Sequence, residues 1–368
     1  MFQGISILHL HQSMFTKSIN FLASEEQKAR WMPLINNLNM LGCYAQTELG
    51  HGSNVAGLET TAVFDKATDE FVIHTPSIRA TKFWPGSLGR CATHGVVMAN
   101  LMLGKQSYGV QAFLVPIRSR ENHMPFAGIE VGDIGAKLGY NTVDNGYLSF
   151  NQYRVPRLSL LNRFVNVSRE GEFELLGDPR LLYQIMAITR TMIIFGAASV
   201  LHRACTIATR YAACRRQFVT EKGSKRERKI LDYQTHMAIL GPHLANSFVT
   251  NLAGRAVEKL MQESFLECEK NNFKLLDICH HFTSGMKACC TDMSYKGSDE
   301  CRQSAGGAGY HIASGLVTGF TDHAVMPTFE GVNVIMYQQS SRYVLKQVKK
   351  AKAGKKLKFN FVYINKIP

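Results

Sequence analysis

The sequence predicts an α+β protein in which an antiparallel β domain is followed by a helical bundle. Between residues 41 and 165, short β-prone runs alternate with Gly, Pro and Asp turns. Between residues 175 and 348, apolar residues recur with helical spacing. The chain has 368 residues, 45% hydrophobic and 19% charged, which is ordinary for two or three folded domains and excludes disordered, collagen-like and coiled-coil proteins.

Residues 1–40 form a separate, short helical region in this prediction. Phe15, Ile19 and Leu22 have helical spacing. Ser24 stands before Glu25 and Glu26, as expected of the residue that caps a second helix. One or two helices are too few for a bundle of their own.

The β region, residues 41–165, contains several short β-prone runs separated by turn residues. Strands at this spacing favour an antiparallel sandwich or barrel over a βαβ sheet. The runs that predict strands are residues 60–64, 70–74, 95–98, 111–115 and 146–150.

The helical region begins with an apolar stripe at Leu182, Ile185, Met186 and Thr189 that continues to Tyr211. Further helices are predicted over residues 230–267, 275–294 and 334–348. Long amphipathic helices joined by polar loops predict an antiparallel bundle. No run approaches the roughly 20 uncharged apolar residues of a membrane helix, so no membrane span is expected.

Basic charge is concentrated at the end of the chain. The formal net charge is +14, and residues 346–368 contain eight Lys and no acidic residue. We expect the divergent tail, residues 349–368, to be solvated. No nucleic-acid-binding motif accompanies the charge, so no nucleic-acid partner is expected.

The nine cysteines form no Cys-x-x-Cys pair. Cys279, His280 and His281 are consecutive, so on a helix their side chains diverge and cannot close on one metal ion. The sequence therefore predicts free thiols in a reducing compartment and no metal site.

Two segments of the β region could contact a ligand. In residues 44–54, Thr47 offers a hydroxyl group beside two glycines; the alternative is a polar Gly-rich turn. In residues 83–89, Trp84 could stack on a flat ring and Gly86 could allow close approach. The alternative there is a buried aromatic residue beside a tight turn.

Three segments of the helical region carry further candidates. Arg215 at a helix end could bind phosphate or could simply be solvated. Gly306 and Gly307 expose the backbone, but no βαβ unit surrounds them, so they are not a dinucleotide fingerprint. Glu330 lies between Phe329 and a glycine; a carboxylate in such an apolar setting gains a raised pKa and can act as a base, or it can be an ordinary loop residue.

Taken together and in order, these segments resemble the acyl-CoA oxidase branch of the acyl-CoA dehydrogenase superfamily. The resemblance runs from about residue 25 to about residue 348. It therefore implies an acyl-CoA dehydrogenase-like fold. The segments that carry it are residues 44–52, 57–62, 84–86, 112–117, 131–135, 144–147 and 328–331.

The resemblance implies a cofactor and a set of roles. The family holds FAD between its β domain and its bundle, so Thr47 and Gly86 would lie against the flavin. Glu330 matches the catalytic base, which removes the α proton of an acyl-CoA while the β hydrogen leaves as hydride. The products would be a trans-2-enoyl-CoA and, with dioxygen as acceptor, hydrogen peroxide. The positions that would reach the adenosine-phosphate half, partly across a homodimer interface, are Arg215, Gln234, Gln303, Gly306 and Gly307.

The chain also departs from the family pattern. Its first 40 residues resemble only a remnant of the N-terminal helical domain, and the second C-terminal helical domain is absent. Ala305 and Ala308 stand where relatives carry Cys and His, and Val332 stands where relatives are polar. The resemblance implies a peroxisomal protein, although the last three residues are not a Ser-Lys-Leu signal. A dehydrogenase with another electron acceptor, and an impaired homologue that binds acyl-CoA or a partner, stay open as alternatives.

Overall fold

The computed structural model describes residues 6, 8–178, 183–220, 222–270, 272–357 and 359–366. The chain divides into two compact units, one ending at Ile185 and the other beginning at Met186. Leu182, where the sequence places the start of the long helix, and tail residues Lys358, Ile367 and Pro368 lie outside the described residues.

The first unit opens with two helices, α1 (Thr16–Leu22) and α2 (Glu25–Asn36). The predicted cap is confirmed: the Ser24 hydroxyl accepts from the Gln27 amide, and the Gln27 side chain accepts from the Ser24 amide. These helices share one apolar core with strands of the following sheet, since Phe15 and Ile19 cluster with Val96 and Leu114.

Eleven strands follow in the described part of this unit. The predicted runs 70–74 and 146–150 coincide with two of them, and the run 60–64 is offset by one residue from a third. The runs 95–98 and 111–115 fall within longer strands. The strands are β1 (Gly42–Ala45), β2 (Thr61–Asp65), β3 (Glu70–His74), β4 (Lys82–Phe83), β5 (His94–Leu103), β6 (Gln106–Pro116), β7 (Ile129–Asp133), β8 (Gly146–Phe150), β9 (Tyr153–Pro156), β10 (Val165–Val167) and β11 (Phe173–Leu175).

The largest sheet is mixed rather than purely antiparallel. Its order is β1-β5-β2-β3-β9, with β6 beside β5. Strand β5 pairs in parallel with β1 and β2, whereas β5 with β6, β2 with β3 and β3 with β9 are antiparallel. The expectation of an all-antiparallel sheet was therefore wrong for β5. The long connections from β1 and from β2 to β5 let the chain cross back, so that β5 runs in the same direction as both strands. Smaller sheets are β4-β8-β7 and β10-β11.

The second unit is the predicted helical bundle. Helix α5 runs ten residues beyond its predicted end at residue 294, and a 3₁₀ turn, Ile230–Asp232, precedes α4. Its helices are α3 (Tyr183–Cys214), α4 (Gln234–Glu269), α5 (Lys274–Ser304), α6 (Gly307–Tyr310), α7 (Leu316–His323) and α8 (Asn333–Lys352).

Helix α3 is the central apolar helix of this unit. By length and composition alone, its Gln184–Cys214 stretch is the one described helix that could cross a membrane. Most residues in the most apolar part of this helix are buried inside the protein, and the helix carries the buried Arg190. Both features are those of a core helix.

The tail ends in a 3₁₀ helix, Phe359–Lys366. Phe361 and Ile364 are buried against Phe282 of α5 and Tyr343 of α8. Phe361 and Ile364 are therefore packed rather than solvated as expected of the tail, because their spacing of three places them on one ridge of a 3₁₀ helix.

Candidate active site

Glu330 lies in the loop between α7 and α8, with its backbone in the left-handed region at φ 53°. Few residues other than glycine adopt this conformation, which costs free energy unless the surroundings impose it. Gly331 follows at φ 100°, and a Cβ atom there would lie 2.6 Å from the methyl carbon of Met336. The backbone of this loop is thus tightly constrained.

Two buried cations hold the loop through its carbonyl oxygens. Arg190 of α3 donates from Nε to the carbonyl of Glu330 at 3.3 Å. Lys287 of α5 donates from Nζ to the carbonyl of Gly331 at 2.8 Å and to Oδ1 of Asn333 at 3.0 Å. Lys287 is fully buried and Arg190 is 2% exposed, so these three bonds lie in a setting where charged hydrogen bonds are strong. We call Arg190 and Lys287 the loop clamp.

Asn333 fixes the start of α8 on α5. Its side-chain amide donates to Oδ1 of Asp292 at 2.7 Å and to Oγ1 of Thr291 at 2.9 Å. The capping position, Val332, provides no side-chain hydrogen bond to the helix. The Asn333 contacts therefore replace an ordinary cap in positioning the loop end.

The charge state of Glu330 follows from these surroundings. Burial raises the pKa of its carboxyl group, while the positive charges of Arg190 and Lys287 act in the opposite direction. Burial likewise lowers the pKa of Lys287 to about 8. Among the described residues, no hydrogen bond or ion pair engages the carboxylate of Glu330 itself. Glu330 is therefore a carboxylate with a raised pKa and with oxygens that no described residue engages, and both are properties of a general base.

The surroundings of Arg190 are otherwise uncharged. Its guanidinium donates to Oγ of Ser284 at 3.1 Å and lies 3.4 Å from Nδ1 of His280. Burial, with a smaller effect of Arg190, lowers the pKa of His280 to about 4, so this imidazole is neutral at pH 7. Burial lowers the pKa of the Arg190 guanidinium, and the negative charge of Glu330 acts in the opposite direction.

The Gly-rich segment borders a cavity of about 460 Å³. Gly307, Ala305 and Ala308 line it, together with Tyr211 of α3. No atom lies within 4 Å of where a Cβ would stand on Gly306 or Gly307, so the backbone is open to a ligand. Gln303 instead donates to Asp299 at 2.7 Å.

Arg215 and Gln234 are both exposed. The amide of Ile230 donates to the carbonyl of Arg215 at 2.9 Å, so the chain returns beside Arg215 four residues before Gln234 begins α4. Their side chains make no hydrogen bond or ion pair within the described part of the chain. Both are available to a ligand.

In the first unit, the segments of Thr47 and Trp84 are neighbours. The Phe83 amide donates to the carbonyl of the half-buried Thr47 at 2.9 Å. Trp84 has φ 84° and is 54% exposed, which leaves its ring available for stacking. Gly86 is buried instead, and a Cβ there would collide with Leu10. The close approach at Gly86 is thus made by the protein's own Leu10.

A buried ion pair supports the Thr47 segment and was not predicted from the sequence. Nζ of Lys82 lies 2.9 Å from Oε1 of Glu48, and both side chains are fully buried. Glu48 also accepts from the amides of Glu59 and Thr60. Glu48 adjoins Thr47 and could have been noticed there, whereas nothing in the sequence marks Lys82.

The loop clamp was also missed. Its only signal in the sequence is that Arg190 and Lys287 each lie inside a stretch predicted to be helical. The two contact the Glu330 loop across sequence separations of 140 and 44 residues, which a single sequence does not reveal.

No group of three metal-ligating side chains occurs among the residues the structure describes.

Comparison with known proteins identifies the family. The acyl-coenzyme A oxidase N-terminal model matches residues 1–41, and the acyl-CoA dehydrogenase middle-domain model matches residues 43–153. The acyl-CoA oxidase C-alpha1 domain model matches residues 183–345. The chain belongs to the acyl-CoA oxidase family.

Individual relatives agree with this assignment. The chain is 43% identical to peroxisomal acyl-coenzyme A oxidase 1 of Arabidopsis thaliana over 94% of its own length and 53% of that protein. The solved structure of Arabidopsis thaliana acyl-CoA oxidase 1 has a TM-score of 0.95 at 41% identity, covering 98% of this chain and 55% of the other. Acyl-CoA oxidase-1 of Caenorhabditis elegans, solved in complex with FAD and ATP, has a TM-score of 0.93 at 38% identity, covering 98% and 53%.

The acyl-CoA dehydrogenase-like fold predicted from the sequence is therefore confirmed. The chain spans about half the length of the relatives that it matches. The roles of Thr47, Gly86, Arg215, Gln234, Gln303, Gly306, Gly307 and Glu330 stay predictions.

Proposed function

We propose that the chain oxidises an acyl-CoA to a trans-2-enoyl-CoA with bound FAD, and that dioxygen is reduced to hydrogen peroxide. The observation that carries this proposal is Glu330, a carboxylate with a raised pKa in a loop that two buried cations hold in place. Removal of an α proton next to a thioester requires such a base, with no neighbouring group competing for its oxygens.

The residues present fit FAD. The open backbone at Gly306 and Gly307 beside the cavity suits a phosphate-bearing ligand, and the exposed Arg215 supplies a cation. The exposed ring of Trp84, next to the Thr47 segment, suits the flavin ring, with Gln234 and Gln303 as further polar contacts. When bound, FAD supplies the hydride acceptor and the route of electrons to dioxygen.

The protein's own part is to hold and move one proton. Glu330 takes the α proton of the thioester on a carboxylate oxygen, and the loop clamp holds the backbone that carries this side chain. The backbone amide of Glu330 is bonded to no acceptor among the described residues, and we assign it to the thioester carbonyl oxygen. A donor there stabilises the negative charge that develops as the proton leaves.

The first test is a visible absorption spectrum of the purified protein supplied with FAD, before and after anaerobic palmitoyl-CoA. We expect a bound flavin band that bleaches with substrate and returns in air with formation of peroxide. Bleaching without reoxidation by air would assign a dehydrogenase instead. Failure to bind FAD would reject the proposal and favour a homologue that binds acyl-CoA or a partner without turnover.

The loop clamp gives a pH-dependent prediction. Because Lys287 lowers the pKa of Glu330, Lys287→Met removes a positive charge and raises that pKa further. The acid limb of kcat/KM, where Glu330 becomes protonated, should move to higher pH. The measurement is a pH profile of peroxide formation for Lys287→Met, Lys287→Arg and the exposed Lys296→Met on the same helix. We expect a smaller shift of the acid limb for Lys287→Arg and no shift for Lys296→Met. If the acid limb of Lys287→Met stays at the same pH, the charge of Lys287 does not influence the pKa of the base.

We also propose that the protein is a homodimer. Helix α4 carries an exposed apolar stripe, which monomeric proteins rarely leave uncovered. Its members include the exposed side chains of Leu244, Phe248, Val249 and Leu252. Light scattering of the purified chain should give twice the 41.1 kDa monomer mass, and the Phe248→Lys variant should give the monomer mass.

A peroxisomal location is proposed from the relatives, which are named as peroxisomal enzymes. Fluorescence microscopy of the tagged full-length protein beside a peroxisomal marker tests it. A cytosolic distribution would count against this location while leaving the chemistry untouched.

A further inference from the structure

The tail forms a folded basic surface rather than a loose end. The 3₁₀ helix Phe359–Lys366 is anchored by buried Leu357, Phe361 and Ile364. The side-chain amide of Asn365 closes this fold, donating to the carbonyl of Leu357 at 3.0 Å and accepting from its amide at 2.8 Å. The charges that follow α8 are thus presented on a fixed scaffold.

This surface combines positive charge with exposed apolar side chains. Its lysines, all exposed, are Lys349, Lys352, Lys355, Lys356 and Lys366. Val362 is 52% exposed and Tyr363 is 60% exposed, while their neighbours Phe361 and Ile364 face the protein. We call the five exposed lysines, together with Val362 and Tyr363, the basic tail surface.

Little negative charge opposes this surface. Residues 346–368 contain no Asp or Glu. In the described part of the chain, the acid in contact with this segment is Asp277, which lies 3.8 Å from Lys346 at the edge of the surface. The other lysines named above make no ion pair among the described residues. Their charge is available to an external anion.

We propose that the basic tail surface docks on an anionic phospholipid bilayer. Clustered lysines are attracted to the negative potential of such a membrane. Tyr and short apolar side chains partition into its headgroup region, while lysine stems extend along the apolar boundary. A soluble polyanion would use the charges alone and would gain nothing from Val362 and Tyr363. The surface lies beyond residue 345, where the matched C-alpha1 domain model ends.

The test is flotation of the full chain with vesicles of phosphatidylcholine, with and without phosphatidylserine. We expect binding only to the anionic vesicles, weakening as salt rises. Each lysine near the membrane contributes about fivefold, so Lys352→Gln/Lys355→Gln/Lys356→Gln should lower partitioning roughly a hundredfold. The charge-matched control Lys66→Gln/Lys105→Gln/Lys259→Gln, on exposed lysines elsewhere, should change it little. Circular dichroism checks that all variants remain folded.

A second variant separates a membrane from other polyanions. Val362→Ser/Tyr363→Ser should lower vesicle binding several-fold and leave heparin binding unchanged. The proposal is overturned by equal binding to neutral and anionic vesicles, by equal losses in the two triple variants, or by full vesicle binding in the double serine variant. The last outcome would identify a general polyanion surface.

Discussion

Glu330→Gln should lower the rate of peroxide formation by roughly 10²- to 10⁴-fold while FAD remains bound. Glutamine has nearly the same shape as glutamate but cannot accept the α proton. The loop is held through the carbonyl oxygens of Glu330 and Gly331, which the substitution leaves in place. The expected loss is therefore one of proton transfer rather than of structure.

The rate of flavin bleaching under anaerobic conditions is the direct measurement, because it reports the step in which the proton leaves. Palmitoyl-CoA affinity, from titration of the flavin spectrum, should change little. The exposed Glu263→Gln on α4 serves as the matched control and should behave as the unmodified protein. Rapid bleaching in Glu330→Gln would assign the base to another residue.

Lys82→Met should destabilise the β unit by about 3–5 kcal/mol, the usual cost of leaving a buried charge without its partner. In this variant the carboxylate of Glu48 keeps its bonds from the Glu59 and Thr60 amides but loses the cation that balances it. The carbonyl groups of Gln46 and Met98 also lose their donor. Because Glu48 follows Thr47, weaker binding of FAD should accompany the loss of stability.

The matched variant is Glu48→Gln/Lys82→Met, which removes both charges. We expect it to recover part of the lost free energy of unfolding, since no unpaired charge stays buried. The single amide oxygen of the glutamine can accept from Thr60, while the bond from the Glu59 amide is lost. Urea unfolding followed by tryptophan fluorescence measures both variants, and Trp31 and Trp84 both lie in this unit. A cost below about 1 kcal/mol for Lys82→Met would show that the pair is not effectively buried.

The sequence predicts most of the fold because local patterns determine it. Strands β3 and β8 are short runs of β-prone residues bounded by turns, and Ser24 is followed at the right distance by Gln27. Strand β1, Gly42–Ala45, has too few residues for a pattern, and its parallel pairing with β5 depends on tertiary structure. Local residues do not encode which strands meet.

The candidate site is predicted less completely, for the same reason. Glu330 stands out because its own neighbours are apolar and glycine follows. Arg190 and Lys287 can be recognised only once α3 and α5 bring them to the loop. Gly86 is the opposite case. The sequence predicts that a ligand approaches this glycine, yet the side chain of Leu10 occupies the space beside it.

The way the loop is held has a consequence for turnover. Both cations bind peptide oxygens, so the carboxylate of Glu330 can gain and lose a proton without breaking any contact that anchors it. The charged and neutral forms then share one geometry, and little reorganisation energy attaches to changing between them. The acid is restored to its resting state by release of a proton alone, and each cycle begins from the same arrangement of atoms.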